Sequence, residues 1–300
     1  MKRRLNALMP YLYSTPFFIL LALFMLFPFV LNIGISFTNY SMSRKEIRFI
    51  GLKNYTDLLS SPNVWEAIGR TFIFILGCVT LTMLLGLFYA IVMSFNIKGI
   101  SIVKAIILLP WIIPESVTAY VWKWLFSADS GIIYYFLLKF HLIQEGTSFF
   151  FDGTLAMIMI ILANVWRTAP FVAIMAYAKL KAIPSSHIEA AHIDGANALQ
   201  TFRYITIPWM MPILQRCTLL LFVWSFNSFA IIYILTNGGP AGATTTLPFL
   251  IRQTAFQNFN FGQATTLGVL SLLIILICGL LAKIIMVIAS QRKKRRWQTK

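Results

Sequence analysis

The sequence predicts an all-α integral membrane protein with six transmembrane helices and both termini in the cytoplasm. Three observations carry this: the apolar composition, the length of the apolar runs and the placement of the basic residues. The chain has 300 residues, of which 59% are hydrophobic and 11% charged, and its mean hydropathy is +0.78. That is far from the balance of a soluble domain. Six apolar runs, at about 12–37, 70–95, 103–126, 153–177, 212–235 and 264–289, reach the roughly 20 residues a helix needs to cross a bilayer. Hydrocarbon offers no partner for free backbone groups, so each run is expected to be helical, and continuous runs lack the alternation of barrel strands. The net charge of +16 is placed asymmetrically. Fifteen Lys/Arg fall on the side of the two termini, seven on the other side and three within runs, which is the positive-inside bias. It marks a membrane surface rather than a nucleic-acid partner.

Taken in order, the first run follows "MKRRLNALMP". It is longer than the apolar stretch of a secretory signal and no small-x-small cleavage site follows, so it is expected to be a retained span. The loops at about 38–69, 127–152 and 236–263 are expected to face outward. Cys78, Cys217 and Cys278 lie inside runs at no metal spacing, which implies neither disulfides nor a zinc site. The six spans with their loops are expected to form a single transmembrane domain over 1–300, without internal repeats.

The loop at about 178–211 is different, because it holds two of only nine acidic residues, Glu189 and Asp194. "IPSSHIEAAHIDG" supplies Pro184 as a stop and then Ser186-x-x-Glu189, the spacing of a capping box that begins a short helix. Ala190 and Ala191 favour that helix. Gly195 is suited to the left-handed turn that ends it. "ANALQTFRYITIP" continues as a second helix, with Pro208 and Pro212 at the entry to the fifth run. The loop is therefore expected to be a structured helical elbow on the cytoplasmic face.

Chemistry of a hydrolytic kind is missing from the motifs. There is no GxxxxGK[ST] phosphate loop, no HExxH and no G-x-S-x-G elbow. No catalytic residue and no metal ligand is assigned. A multi-spanning chain with a structured elbow and no catalytic set fits a translocation subunit driven by another protein. A secondary carrier or channel is the alternative, although only Glu115 and Arg167 lie deep in runs.

At this point the motifs resemble a known family. "LKAIPSSHIEAAHIDGANALQTFRYITIPWMMP" at 180–212 resembles the EAA loop of ATP-binding-cassette importer permeases, in the "IDGA" form of the carbohydrate branch. "WSFNSFAIIYILTNGGPAGATTTLPFLIRQTAFQNFNFGQA" at 224–264 resembles the maltose-type first permease, as do "FIGLKNY" at 49–55 and "LLPWIIPESVTAYVWKWLF" at 108–126. The sequence departs from the family at Ser186 and Ala230, where relatives often carry acidic residues. The resemblance implies the type I importer permease fold in the cell membrane of a prokaryote. It also implies a second homologous permease, two cytoplasmic ATPase subunits, an extracytoplasmic solute-binding protein and a sugar substrate. ATP and Mg would sit on the ATPase, with no cofactor on this chain. Glu189, Ala190, Ala191, Asp194 and Gly195 would form the ATPase-coupling site.

A substrate path is expected from polar and aromatic residues at membrane depth. Trp111, Glu115, Thr118 and Trp122 recur at i, i+4, i+7 and i+11 in the third run, and Trp224, Asn227 and Ile231 share a face of the fifth, with Ser228 beside it. Aromatic faces with a few polar groups suit a sugar. The structural alternative is that Glu115 pairs with Arg167 and Asn227 bonds across helices. The topology is tested in a background lacking Cys78, Cys217 and Cys278. A cysteine at Ser43 should react with an impermeant thiol reagent in whole cells and one at Ser185 should not. Labelling of Ser185→Cys from outside reverses the orientation.

Overall fold

The structure, a computed structural model, describes residues 13–43 and 46–298, with side chains as far as Ile284. Lys2, Arg3, Arg4, Arg44, Lys45 and Lys300, and the side chains of the basic stretch from Arg292, lie outside the described residues. The helices in chain order are α1 (Tyr13–Ser36), α2 (Lys53–Leu59), α3 (Pro62–Ser94), α4 (Ile100–Ile112), α5 (Glu115–Leu125) and α6 (Ile132–Lys139). They continue with α7 (Gly153–Lys181), α8 (Ser185–Ile193), α9 (Ala198–Phe226), α10 (Ala230–Leu235), α11 (Leu247–Phe256) and α12 (Phe261–Gln298). No strand occurs among the described residues, only an isolated antiparallel bridge between Thr38 and Phe49.

Five helices are long and apolar enough to cross a membrane: α1, α3, α7, α9 and the part of α12 to Ile284. The third apolar run departs from the expected straight helix. It is the pair α4 and α5, bent by 105° at a short break. The cause is local. Ile113 is extended (ψ 128°), as the residue before a proline prefers, and Pro114 has no N–H to continue the ladder. The fifth run also differs. Helix α9 begins at Ala198 and stops at Phe226, and residues 230–235 form the separate α10. The elbow is thus shorter than 178–211, since α7 runs on to Lys181 and the elbow's second helix is the start of α9.

The chain divides into two compact units. Residues 1–65 with 250–276 form one. There the buried Asn54 amide donates to the carbonyls of Ser36 (2.9 Å) and Thr38 (2.8 Å). Thr266 Oγ donates to the same Ser36 carbonyl at 3.0 Å, so the free carbonyls at the end of α1 are satisfied. None of the most apolar stretch of α1 is buried within the chain.

Residues 66–249 with 277–300 form the other unit, and α7 is its axis. Ala156, Ile160, Ala163, Ala169, Val172, Ala173 and Ala176 are all fully buried along it. Small residues let neighbouring backbones approach, which is how helices associate where lipid competes equally for apolar surface. The approach of α3 is closest at Gly86. A Cβ there would lie 2.5 Å from Val172 Cβ and 2.9 Å from the Ala169 carbonyl oxygen. One turn away the buried hydroxyls of Thr82 and Thr168 share a hydrogen bond of 3.1 Å.

Gly86→Val should therefore lower the melting temperature of the purified protein in detergent, with an overpacking cost of about 1–3 kcal/mol. Gly268→Ala, where nothing lies within 4 Å, should be neutral or slightly stabilising. Equal melting of both variants would refute the close α3–α7 contact.

Candidate functional site

Helix α10 is only six residues long and cannot stand alone. Both of its ends are held by side chains of α5. At the start, Glu115 Oε1 accepts from the Ile231 backbone N–H (3.2 Å) and from Ser228 Oγ (2.7 Å). At the end, Lys123 Nζ donates to the Ile234 carbonyl at 3.0 Å. An anion at the N-terminus and a cation at the C-terminus are the arrangement the helix dipole favours. Glu115 also faces Arg167 of α7, with Oε2 and Nη2 3.9 Å apart. The same Arg167 nitrogen donates to Asn164 Oδ1 at 3.3 Å. Thr118 is buried, and its hydroxyl has no partner among the described residues.

Beside these polar groups three rings meet. Trp111 lies 5.2 Å from Phe171 and 5.4 Å from Trp224, and Phe171 lies 4.7 Å from Trp224 in edge-to-face geometry. Each ring is four residues from a polar partner: Trp111 from Glu115, Phe171 from Arg167, and Trp224 from Ser228. Along α7 that spacing is about one turn, roughly 5.4 Å. The aromatic layer and the polar group are thus joined through α7, where Phe171 stands one turn from Arg167, while a helix break separates the members of each of the other two pairs. Trp224 remains 37% exposed, so the aromatic layer has an open edge.

Sequence reasoning expected several of these residues but for a different reason. Trp111 and Glu115 do not share a helical face, because the break at Ile113–Pro114 separates them. Likewise Trp224, Asn227 and Ile231 are not on one helix, since α9 ends at Phe226. Trp111 and Trp224 meet through tertiary packing instead. Trp122 stands apart from them, stacked on Phe126 at 5.5 Å and 6.4 Å from Trp166. The exposed Asn227 amide donates to the Val223 carbonyl of its own helix at 2.9 Å, so the expected bond across helices is not formed. The structure adds Phe171, Asn164 and Lys123 to the group.

The elbow carries the other candidate residues. Helix α8 has Pro184 at its N-cap and no side-chain capping bond. The expected Ser186–Glu189 capping box is therefore absent. The helix starts at Ser185, which moves Ser186 inside the first turn. A capping box does exist one helix later, where Asn197 and Gln200 exchange bonds of 2.9 and 2.8 Å. At the end of α8, Gly195 has φ +75°. Its N–H donates to the His192 carbonyl (3.1 Å), and the Ala196 N–H to that of Ala191 (2.9 Å), which is a Schellman motif. Glu189, Ala190 and Asp194 are exposed, and Ala191 is buried.

Residues 82–295 match the family described as "Binding-protein-dependent transport system inner membrane component". The chain belongs to this family. It is a multi-pass inner-membrane permease, the transport subunit of a binding-protein-dependent ATP-binding-cassette importer, and not an enzyme. Among its relatives is the trehalose/maltose transport system permease protein MalF of Thermococcus litoralis, 32% identical over 86% of this chain and 85% of that protein. Another is the inner membrane permease YcjO of Escherichia coli, 30% identical over 89% and 90%. Among solved structures, the fold matches a bacterial importer of the acidic polysaccharide alginate. There the TM-score is 0.80, with 22% identity over 95% of this permease and 96% of that chain.

The clamp on α10 is testable by a double-mutant cycle on the purified permease. Glu115→Leu leaves Arg167 uncompensated and the first turn of α10 without its acceptor, while Arg167→Met leaves the carboxylate its two other donors. Glu115→Leu should therefore destabilise more, by about 1–3 kcal/mol. The pair should couple, so that the double variant melts higher than additivity predicts. Strict additivity would mean the 3.9 Å pair contributes nothing.

Proposed function

We propose that this permease forms half of the translocation path for a sugar or oligosaccharide and couples to a cytoplasmic ATPase through α8 and the turn at Gly195. The observation that carries the substrate assignment is the aromatic layer of Trp111, Phe171 and Trp224, joined through one turn of α7 to the polar layer of Glu115, Arg167 and Ser228. Sugar rings present apolar CH faces that stack on aromatics and hydroxyls that need hydrogen bonds, so the two layers suit the two chemistries. Thr118 adds a free hydroxyl. The names of the relatives point the same way, since one is a trehalose/maltose permease and another match is an alginate importer.

Coupling rests on the elbow. A helix locked by a Schellman turn and followed at once by a capped helix moves as a unit. Its exposed residues include Glu189 and Asp194, which offer charge to a basic partner, and Ile193 and Leu199, which are 86% and 73% exposed and offer apolar surface. The working assembly in this reading is two homologous permeases, two ATPase subunits that bind ATP and Mg, and an extracytoplasmic solute-binding protein.

Transport by the reconstituted assembly tests both halves. Trp224→Ala and Trp111→Ala should slow uptake about tenfold, the effect of ~1.4 kcal/mol at the barrier. Assembly and ATP hydrolysis stimulated by the binding protein should be kept. Glu189→Gln should uncouple hydrolysis from uptake, whereas Ser186→Ala, which removes no cap, should not. Gly195→Val should be worse than either, because a β-branched residue at φ +75° is strained. Uptake that is unchanged in both tryptophan variants across a panel of sugars removes the path assignment. Uptake that persists without ATP removes the coupling one.

A further inference from the structure

The end of α7 next to the elbow gathers positive charge without a carboxylate to balance it. Lys104 Nζ of α4 donates to Tyr177 Oη at 2.9 Å and sits 4.6 Å from the ring centroid. Lys181 Nζ lies 6.0 Å from the same ring. Nearby, Lys179 Nζ lies 4.8 Å over the ring of Trp209, which also faces His187 at 5.7 Å. Among the described residues the ion pairs are Arg48–Glu46, Arg70–Glu66 and Arg167–Glu115, so none of these three lysines has one. Trp209 Nε1 is buried with no hydrogen-bond partner.

Helix dipoles explain part of this and leave a remainder. Lys179 and Lys181 are in the last turn of α7, where a cation is favoured. Lys104 is in the second turn of α4, where the dipole gives a cation no help, and its ammonium is brought to the ring that Lys181 also approaches. Two ammonium groups thus approach one tyrosine ring, at 4.6 and 6.0 Å from its centroid, and neither is in an ion pair among the described residues. The tyrosine hydroxyl accepts from Lys104 and keeps its own proton to donate.

We propose that Lys104, Tyr177 and Lys181, flanked by Lys179 and Trp209, form a binding site for the phosphate of an anionic phospholipid. A lipid fits better than an acidic protein surface because the site is built on the ends of apolar helices. Tyr and Trp mark the depth of the headgroups there, and lysines pair with anionic lipid. The exposed surface of the elbow includes the apolar Ile193 and Leu199 and the acidic Glu189 and Asp194.

Native mass spectrometry of the full chain, extracted into detergent with equimolar phosphatidylglycerol and phosphatidylcholine, tests this. Wild type should retain phosphatidylglycerol in preference. The K104Q/K181Q variant should bind it about thirtyfold more weakly, taking each lysine at an anionic surface as worth about fivefold. K104R/K181R should keep the preference, and Lys98→Gln, outside the cluster, should leave it unchanged. If K104Q/K181Q does not fold, Lys181→Gln alone, at an exposed helix end, should show the fivefold loss. Equal retention by wild type and these variants overturns the proposal, as does equal retention of the two lipids. Displacement of phosphatidylglycerol by low-millimolar inorganic phosphate would assign the site to a free anion. Unchanged lipid binding with lost ATPase association would assign it to a protein contact.

Discussion

A break in a helix at membrane depth leaves backbone N–H and C=O groups that lipid cannot satisfy, and this chain has two such breaks close together. The break between α9 and α10 is made tolerable by the helix that follows the other break. Glu115 and Lys123 of α5 take the two ends of α10, so one interrupted run supplies the missing partners of the other. The two charges lie eight residues apart on α5, a rise of about 12 Å, enough to reach both ends of a six-residue helix. Ser228, in the link between α9 and α10, adds its hydroxyl to the same carboxylate. Much of the local geometry around the candidate path depends on that one acid.

The acid is itself tied to α7 through Arg167, and α7 is the most enclosed of the five long apolar helices among the described residues, with 61% of its most apolar stretch buried. Its alanines and its contact with Gly86 remove the slack that larger side chains would need. Arg167, Asn164 and Phe171 therefore project from a helix whose position is fixed by close packing on several sides. A site built on such an axis keeps its spacing.

The sequence carried the apolar runs clearly, because length and hydropathy are set by the bilayer and not by the details of packing. Gly195 was equally legible, since few residues other than glycine enter the left-handed region cheaply. The bend between α4 and α5 was written in "WIIPE" but was outweighed by a periodicity that treated the run as one helix. At the elbow the Ser186–Glu189 spacing misled, because Pro184 and not Ser186 occupies the N-cap of α8, while the Asn197–Gln200 box that does form begins the next helix. Phe171 and Asn164 had no signal at all, because an aromatic or an amide on a buried helix looks the same whether it lines a path or fills a core. The meeting of Trp111 with Trp224 is a long-range contact of the same kind, and local spacing cannot encode it.

Helix α9 runs without interruption from Ala198, just beyond the Schellman turn, to Phe226, two residues past Trp224. At 1.5 Å per residue its 29 residues make a rod of about 43 Å. A tilt of about 5° about one end sweeps the other through roughly 4 Å, close to the thickness of an aromatic ring. The π-helical segment at Phe202–Thr206 and the prolines at 208 and 212 all lie in its first half, so bending would be absorbed near the elbow and the remainder would swing stiffly. A small change of angle at the elbow end of this rod thus corresponds to a displacement of about one ring thickness at Trp224.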